Sequence, residues 1–582
     1  SMTSPSLRLP ILRRSGVSHL ALIACGAWLA SCSPPPEDQT NLEREEAPAA
    51  STDQRQTIVE AMVMESAPGQ DDSVKLQETE PQLEMAFDAS GRLNMFAPPV
   101  DPSGERYPDA TPNPIHIVAA EPVSTFSIDV DTAAYANTRR SLESGQLPPA
   151  DAVRVEELIN YFDYTYAPPN DSKVPFATAV SVVPTPWNDA AQLVHIGIQG
   201  YDLVEEDRPA ANLTFLVDVS GSMNSDDKLG LLVQGLRLLV GELGEDDTVA
   251  IVTYAGGVRI ALPPTPGSDK AAILGVLDSL RAGGSTAGAA GLETAYNLAY
   301  QSFNVEGVNR ILLATDGDFN VGISDPDLLE QEIARQRESG VYLSVLSFGR
   351  GNLNDEVTQR LAQNGNGNAA YIASLLEAKK VLVDELGGTL FPIANDVKIQ
   401  VEFNPAQVAE YRLLGYETRI LEREDFDNDT VDAGEIGNGH NVTAIYEIVP
   451  VTAQFRWMGE LRYGEAPATE PDDQFSGELA YLKIRYKLPG EDTSNLISRP
   501  IASEQAFASL EEAPGDVRFS VAVAAYGQLL RNDAFLHTYG FDDVVDLANT
   551  ARGEDSFGYR AEFIRLADLA GTLSSRWSAL NE

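Results

Sequence analysis

Leu213-Thr-Phe-Leu-Val-Asp-Val-Ser-Gly-Ser222 joins a short apolar run to a polar loop. The run Leu213 to Val217 is too short for a buried helix and carries Val, Phe and Thr, so it is expected to form a buried strand of a parallel sheet. Asp218, Ser220 and Ser222 then set one carboxylate and two hydroxyls on a tight loop, and the helix-like stretch Lys228 to Leu243 follows directly. In open α/β sheets ligands gather beyond the carboxyl ends of strands. Hard cations such as Mg²⁺ take oxygen ligands in near-octahedral array while keeping some waters. The loop supplies part of such a shell. The same residues also suit an Asx turn that caps a helix, because Asp and Ser are favoured in both roles.

Two downstream segments offer the rest. Gly283-Gly-Ser-Thr286 precedes another helix-like stretch and brings a loop hydroxyl, and the apolar run Arg310 to Thr315 ends in Asp316-Gly-Asp318. In this order, Asp218-Val-Ser220-Gly-Ser222, Thr286 and Thr315-Asp316-Gly317 resemble the metal-ion-dependent adhesion site of the von Willebrand factor type A domain. The resemblance implies that Ser220, Ser222 and Thr286 are direct ligands, with Asp218 and Asp316 acting directly or through water. It implies Mg²⁺ or Mn²⁺ as the ion and a carboxylate from a partner protein as the group that completes the shell.

Periodicity supports the fold independently. Thr248–Tyr254, Arg310–Thr315, Val341–Phe348 and Ala369–Ala373 read as strands. Lys270–Leu280, Gly291–Ser302, Asp327–Glu338, Asp355–Gln363 and Leu375–Leu386 read as helices. This alternation predicts a doubly wound parallel sheet over 212–390. On either side the period changes to two. Phe176–Val183 and Gln192–Tyr201 precede the α/β segment; Val397–Phe403, Val442–Ile448 and Leu482–Lys487 follow it. These strands suit an antiparallel sandwich. The expected architecture is therefore α/β plus β: a type A domain inserted into one split β domain, whose parts are 116–211 and 391–490. A helical C-terminal region over 491–582 follows, from Val517–Leu530, Phe541–Ala551 and Arg560–Leu573. Near the start of the folded part, Ser124–Asp131 reads as a short strand and Thr132–Ser144 as a helix capped by Asp131.

The chain has 582 residues, a formal charge of −46 and two cysteines, Cys25 and Cys32. Phosphate recognition needs clustered Lys and Arg, so nucleic acid is excluded as a partner. Arg8, Arg13 and Arg14 followed by the apolar stretch Val17–Ala30 have the form of an export signal over 1–31. Leu29-Ala-Ser-Cys32 resembles a bacterial lipobox, which implies cleavage before Cys32, lipidation of its thiol and membrane anchoring. Ser33, rather than Asp, follows the cysteine and by the same resemblance favours the outer membrane. Residues 32–115 are rich in Pro, Glu, Asp, Gln, Ala and Ser, and too poor in apolar groups to offset ordering entropy. They are expected to form a tether with an r.m.s. reach of roughly 50 Å. The whole arrangement, including Gly434-Glu-Ile-Gly-Asn-Gly-His440, resembles the YfbK-type bacterial lipoproteins, whose C-terminal region is a domain of unknown function.

No His-Glu-x-x-His, Walker loop or Gly-x-Ser-x-Gly occurs, so the sequence is not expected to be an enzyme. Metal-assisted hydrolysis would need a general base that no obvious residue supplies. Asp425, Asp427, Asp429, Asp432 and Glu435 crowd one loop and suggest Ca²⁺. Thr430 and Ile436 stand where an EF-hand requires Gly and Glu, and a solvated acidic loop is the alternative. Two functional classes remain: a metal-dependent protein-binding module of the cell envelope, or a structural envelope protein whose metal stabilises its fold.

Overall fold

The computed structural model describes residues 86–87, 93–94, 105–109, 111–171, 173–203, 208–285, 288–317, 326–351, 353–459 and 475–581. Residues 86–87 pair antiparallel with 93–94 in a small unit of their own, and residues 98–582 form the main body.

The body begins with β1 (His116–Ile117), β2 (Val123–Ser127), α1 (Ala133–Glu143), α2 (Val155–Ile159), β3 (Phe176–Pro184) and β4 (Gln192–Gly200). The α/β segment follows as β5 (Ala211–Asp218), α3 (Leu231–Glu242), β6 (Thr248–Tyr254), β7 (Val258–Pro266), α4 (Lys270–Ser279), α5 (Gly288–Gln301) and β8 (Val308–Thr315). It continues as α6 (Pro326–Arg337), β9 (Val341–Phe348), α7 (Asp355–Asn364), β10 (Ala369–Ile372), α8 (Leu375–Lys379) and α9 (Leu386–Leu390). Then come β11 (Pro392–Phe403), β12 (Val408–Leu414), β13 (Ile436–Gly437), β14 (Asn441–Pro450), β15 (Glu478–Lys487) and β16 (Asn495–Ala502). Helices α10 (Gly515–Leu530), α11 (Phe541–Ala551) and α12 (Tyr559–Asn581) close the chain.

The middle segment makes one six-stranded sheet in the order β10-β9-β8-β5-β6-β7. Its strands are parallel except β7, which runs antiparallel to β6. Every residue of β5 is buried. Leu213, Phe215 and Val217 join the core beneath α3 and α4, while Leu216 joins the opposite core beneath α5. Helices on both faces explain why the strand is continuously apolar rather than alternating.

Two five-stranded antiparallel sheets flank this domain. One runs β13-β11-β15-β16 with β2 also paired to β11, and the other runs β1-β12-β14-β4-β3. Their inner faces share one core that includes Phe126, Ile196, Val401, Leu413, Tyr446 and Ile484. Each sheet takes strands from both sides of residues 211–390, so the type A segment is inserted into a split sandwich. The C-terminal helices pack with α1 and α2 in a separate core that contains Tyr135, Phe162, Phe519, Tyr526 and Phe563.

Several details depart from the sequence expectations. Strand β7 contains Pro263, Pro264 and Pro266, residues that disfavour a strand reading but are tolerated at an edge. Residues 375–386 are not one helix: α8 passes into a widened turn over 380–384 before α9. Asp131 does not cap α1, which has no side-chain cap. Its Oδ1 accepts from the Ala369 amide at 2.8 Å and its Oδ2 pairs with Arg419 at 2.9 Å. A buried carboxylate beside a guanidinium gains more there than at an isolated helix end.

The glycines of the 434–440 segment have a packing role. A Cβ on Gly434 would overlap the Ile128 carbonyl, and one on Gly437 would overlap the Gly388 carbonyl, where β13 crosses the end of the inserted domain. Gly437→Ala is therefore expected to destabilise the protein by about 1–3 kcal/mol, as overpacking does. Urea unfolding checks this: the midpoint should fall at unchanged slope, and an unchanged midpoint would refute the close approach.

Candidate metal centre

β5 and β8 are adjacent and parallel, with Val217 opposite Ala314, so Asp218 and Asp316 emerge side by side at the carboxyl edge of the sheet. Both carboxylates are fully buried. The Ser220 amide donates to Asp218 Oδ1 at 2.7 Å, which is the Asx-type turn anticipated as an alternative. That turn places the Ser220 and Ser222 hydroxyls 2.9 Å apart. Ser220 is buried and Ser222 is exposed, so the oxygen cluster opens to solvent at one side. The Gly283 loop is laid against it: the Gly221 amide donates to the Gly284 carbonyl at 3.0 Å and the Gly283 amide donates to the Val219 carbonyl at 2.8 Å. Turn and ligand loop are thus the same structure. Thr286, like Cys32, lies outside the described residues.

Asp218 Oδ2 makes no hydrogen bond of ordinary geometry among the described residues, and the Tyr254 hydroxyl is the donor that faces the carboxylate. Burial, aided by the neighbouring Asp316 charge, pushes the Asp218 carboxyl above its usual range, while the Ser220 bonds oppose the shift. A buried carboxylate beside two hydroxyls is a donor set that fits a hard divalent cation. The residues present therefore suit the ion that the motif implies.

Lys228 was not part of the sequence expectation. Its Nζ lies 2.9 Å from Asp316 Oδ2. The lysine stem crosses Gly349, at φ +79°, where a Cβ would overlap three of its methylene carbons. The protein thus brings its own cation to one carboxylate of the cluster. The irregular turn Asp226–Gly230 ahead of α3 carries it there, a placement that helical periodicity does not disclose.

The acidic loop forms no oxygen cage. Asp425 Oδ2 accepts from the Glu422 amide at 3.0 Å. Asp427 and Asp429 share Arg485 at 3.1 and 3.2 Å, and Asp429 also accepts from Ser494. Asp432 pairs with Arg337 at 2.5 Å. Glu435 is half-buried and pushed up to about 8 by desolvation, against the favourable charge of Arg310. The five carboxylates diverge: Asp427 and Asp429 to Arg485, Asp432 to Arg337, Glu435 toward Arg310 and Asp425 to its own backbone turn. Neither the Ca²⁺ cage nor a simply solvated loop describes them: the loop is an ion-paired seam between the β domain and the inserted domain.

The six-stranded sheet with this corner at its carboxyl edge is a von Willebrand factor type A domain, and the model of that domain matches residues 213–318. A model described as von Willebrand factor matches 101–195, and one described as YfbK, C-terminal, matches 388–573. The protein YfbK of Escherichia coli K12 is 48% identical over 476 residues, which are 81% of this chain and 82% of that protein. The chain belongs to the YfbK family. Among solved structures, a von Willebrand factor type A protein from Catenulispora acidiphila is similar over 69% of this chain and 91% of its own, at 14% identity and TM-score 0.38. The ArnB paralog VWA2 from Sulfolobus acidocaldarius is similar over 69% and 98%, at 14% identity and TM-score 0.32.

The lysine gives the corner a testable signature. Lys228→Met leaves Asp316 buried without its ammonium and should cost about 3–5 kcal/mol in chelator. The same change removes a competing positive charge, so Mg²⁺ should bind more tightly and restore part of the loss. Thermal unfolding in chelator and in Mg²⁺ reads both effects. Equal destabilisation in the two buffers would separate Lys228 from the metal corner.

Proposed function

We propose that the protein is a metal-dependent protein-binding module of the bacterial cell envelope, anchored through a lipid on Cys32, and not an enzyme. The observation that carries this reading is the corner itself: the buried Asp218 carboxylate, the paired Ser220 and Ser222 hydroxyls and Asp316, open to solvent at Ser222. Mg²⁺ or Mn²⁺ bound there, with Thr286 as a further ligand, would supply a positive charge that a partner's Asp or Glu can approach. Neutral hydroxyls do not cancel that charge, so the partner carboxylate gains strong attraction in a partly desolvated cleft. Selectivity then comes from the surface around the corner.

A second reading is favoured by Lys228. Its ammonium already compensates Asp316, which suits a structural role in which the corner stabilises the sheet edge and captures nothing. Pull-down from native envelopes with Mg²⁺ and with chelator separates the two. Metal-dependent capture of one protein, lost in Ser220→Ala with Thr286→Ala, is expected. Capture that is equal in chelator, or retained in the double variant, refutes the adhesion reading. For the anchor, Cys32→Ser should move the protein from the membrane to the soluble fraction; an unmodified Cys32 in mass analysis of the native protein would refute it.

A further inference from the structure

The junction between the split sandwich and the inserted domain buries more acid than base. Asp129, Asp131, Glu156, Glu157 and Asp355 are at most 3% exposed, and the guanidinium groups paired with them are Arg154 and Arg419. Three of the acids face partners. Glu157 accepts from Arg154, Gln359 and the Ala134 amide; Asp355 faces Arg154; Asp131 is held by Arg419 and the Ala369 amide. The other two are met less fully. Asp129 Oδ1 accepts from Arg419 and the Asp131 amide, but Oδ2 has no partner among the described residues. Neither oxygen of the fully buried Glu156 meets a side-chain donor among the described residues, the Tyr416 backbone being what favours its charged form. Asp129, Glu156 and Glu157 each place an oxygen within 4.8 Å of the others.

Uncompensated charge in an interior costs several kcal/mol per ion, so this cluster must hold a cation or a proton. A proton joins one oxygen to another, whereas oxygens of three carboxylates converge here. A cleft of about 160 Å³, lined by Asp129, Asp131, Asp432, Glu435 and Arg419 among others, gives a polar approach to the Asp129 side of the cluster. We infer that Asp129 and Glu156, closed in by Glu157, bind a divalent cation at this junction, separate from the Asp218 corner. Ca²⁺ is the ion of choice. It accepts an irregular shell of six to eight oxygens, including a bidentate carboxylate, and water from the cleft can complete it. Glu156, with no side-chain donor on either oxygen, can turn both toward the ion. Because Asp131, two residues from Asp129, is bonded to β10, the ion fastens the inserted domain to its host.

The test uses the full chain carrying Ser220→Ala and Ser222→Ala, which silences the other metal corner. After extraction with chelator and dialysis against CaCl₂, metal analysis should find a single Ca²⁺ per chain, and Ca²⁺ should raise the melting temperature. Adding Glu156→Gln, which preserves size, should weaken Ca²⁺ binding by more than about tenfold and abolish the thermal shift; Asp129→Asn should do the same. The inference is overturned if the serine background binds no Ca²⁺, or if both carboxamide variants bind it as the background does. It is equally overturned if Glu156→Gln melts like the background at every Ca²⁺ concentration, since the carboxyl would then hold a proton.

Discussion

Arg154 has no exposed surface, and the architecture depends on how its charge is met. From the residue before α2 it holds Glu157, and across the junction it faces Asp355 at the start of α7 in the inserted domain. Glu157 reaches the same helix through Gln359. Nearby, Arg139 of α1 pairs with Glu377 of α8 and Glu562 of α12, and Arg140 pairs with Glu105 and contacts Tyr371 of β10. Buried pairs of this kind add little over apolar packing when complete, but each is costly when half made. They therefore penalise every misdocked arrangement of insert, sandwich and helices more than they deepen the correct one. An apolar junction would tolerate sliding; this one does not.

The sequence disclosed the repeating parts of this structure well. Strand β5 was legible because a strand covered on both faces must be continuously apolar, and β11 because a strand covered on one face must alternate. The insertion was legible from the return of the two-residue period after 390. What escaped were choices made by tertiary contact. Asp131 has the local character of a helix cap, yet Arg419, far along the chain, outbids the helix end. Residues 425–435 look like one acidic run, but Arg337 and Arg485 draw its members apart. Glu156 and Glu157 are neighbours on a short helix with nothing in their sequence to show that neither meets water.

The corner at Asp218 shows both limits. The order of Asp218, Ser220, Ser222 and Asp316 was readable because parallel strands deliver their loops to one edge. The contribution of Lys228 was not, because it depends on a wide turn and on the bare backbone of Gly349. With the lysine in place, a divalent ion arriving at the corner would compete with a tethered ammonium for Asp316.

The prolines of β7 have a consequence beyond that strand's legibility. A six-stranded sheet has two open margins, each a row of amide and carbonyl groups able to template another chain. Pro263, Pro264 and Pro266 delete donors along one margin, and at the other the four-residue β10 is short and packs against α1. Molecules crowded on a surface at high local density would meet one another edge to edge far more often than in dilute solution. These two blunted margins oppose edge-to-edge pairing between sheets of neighbouring molecules.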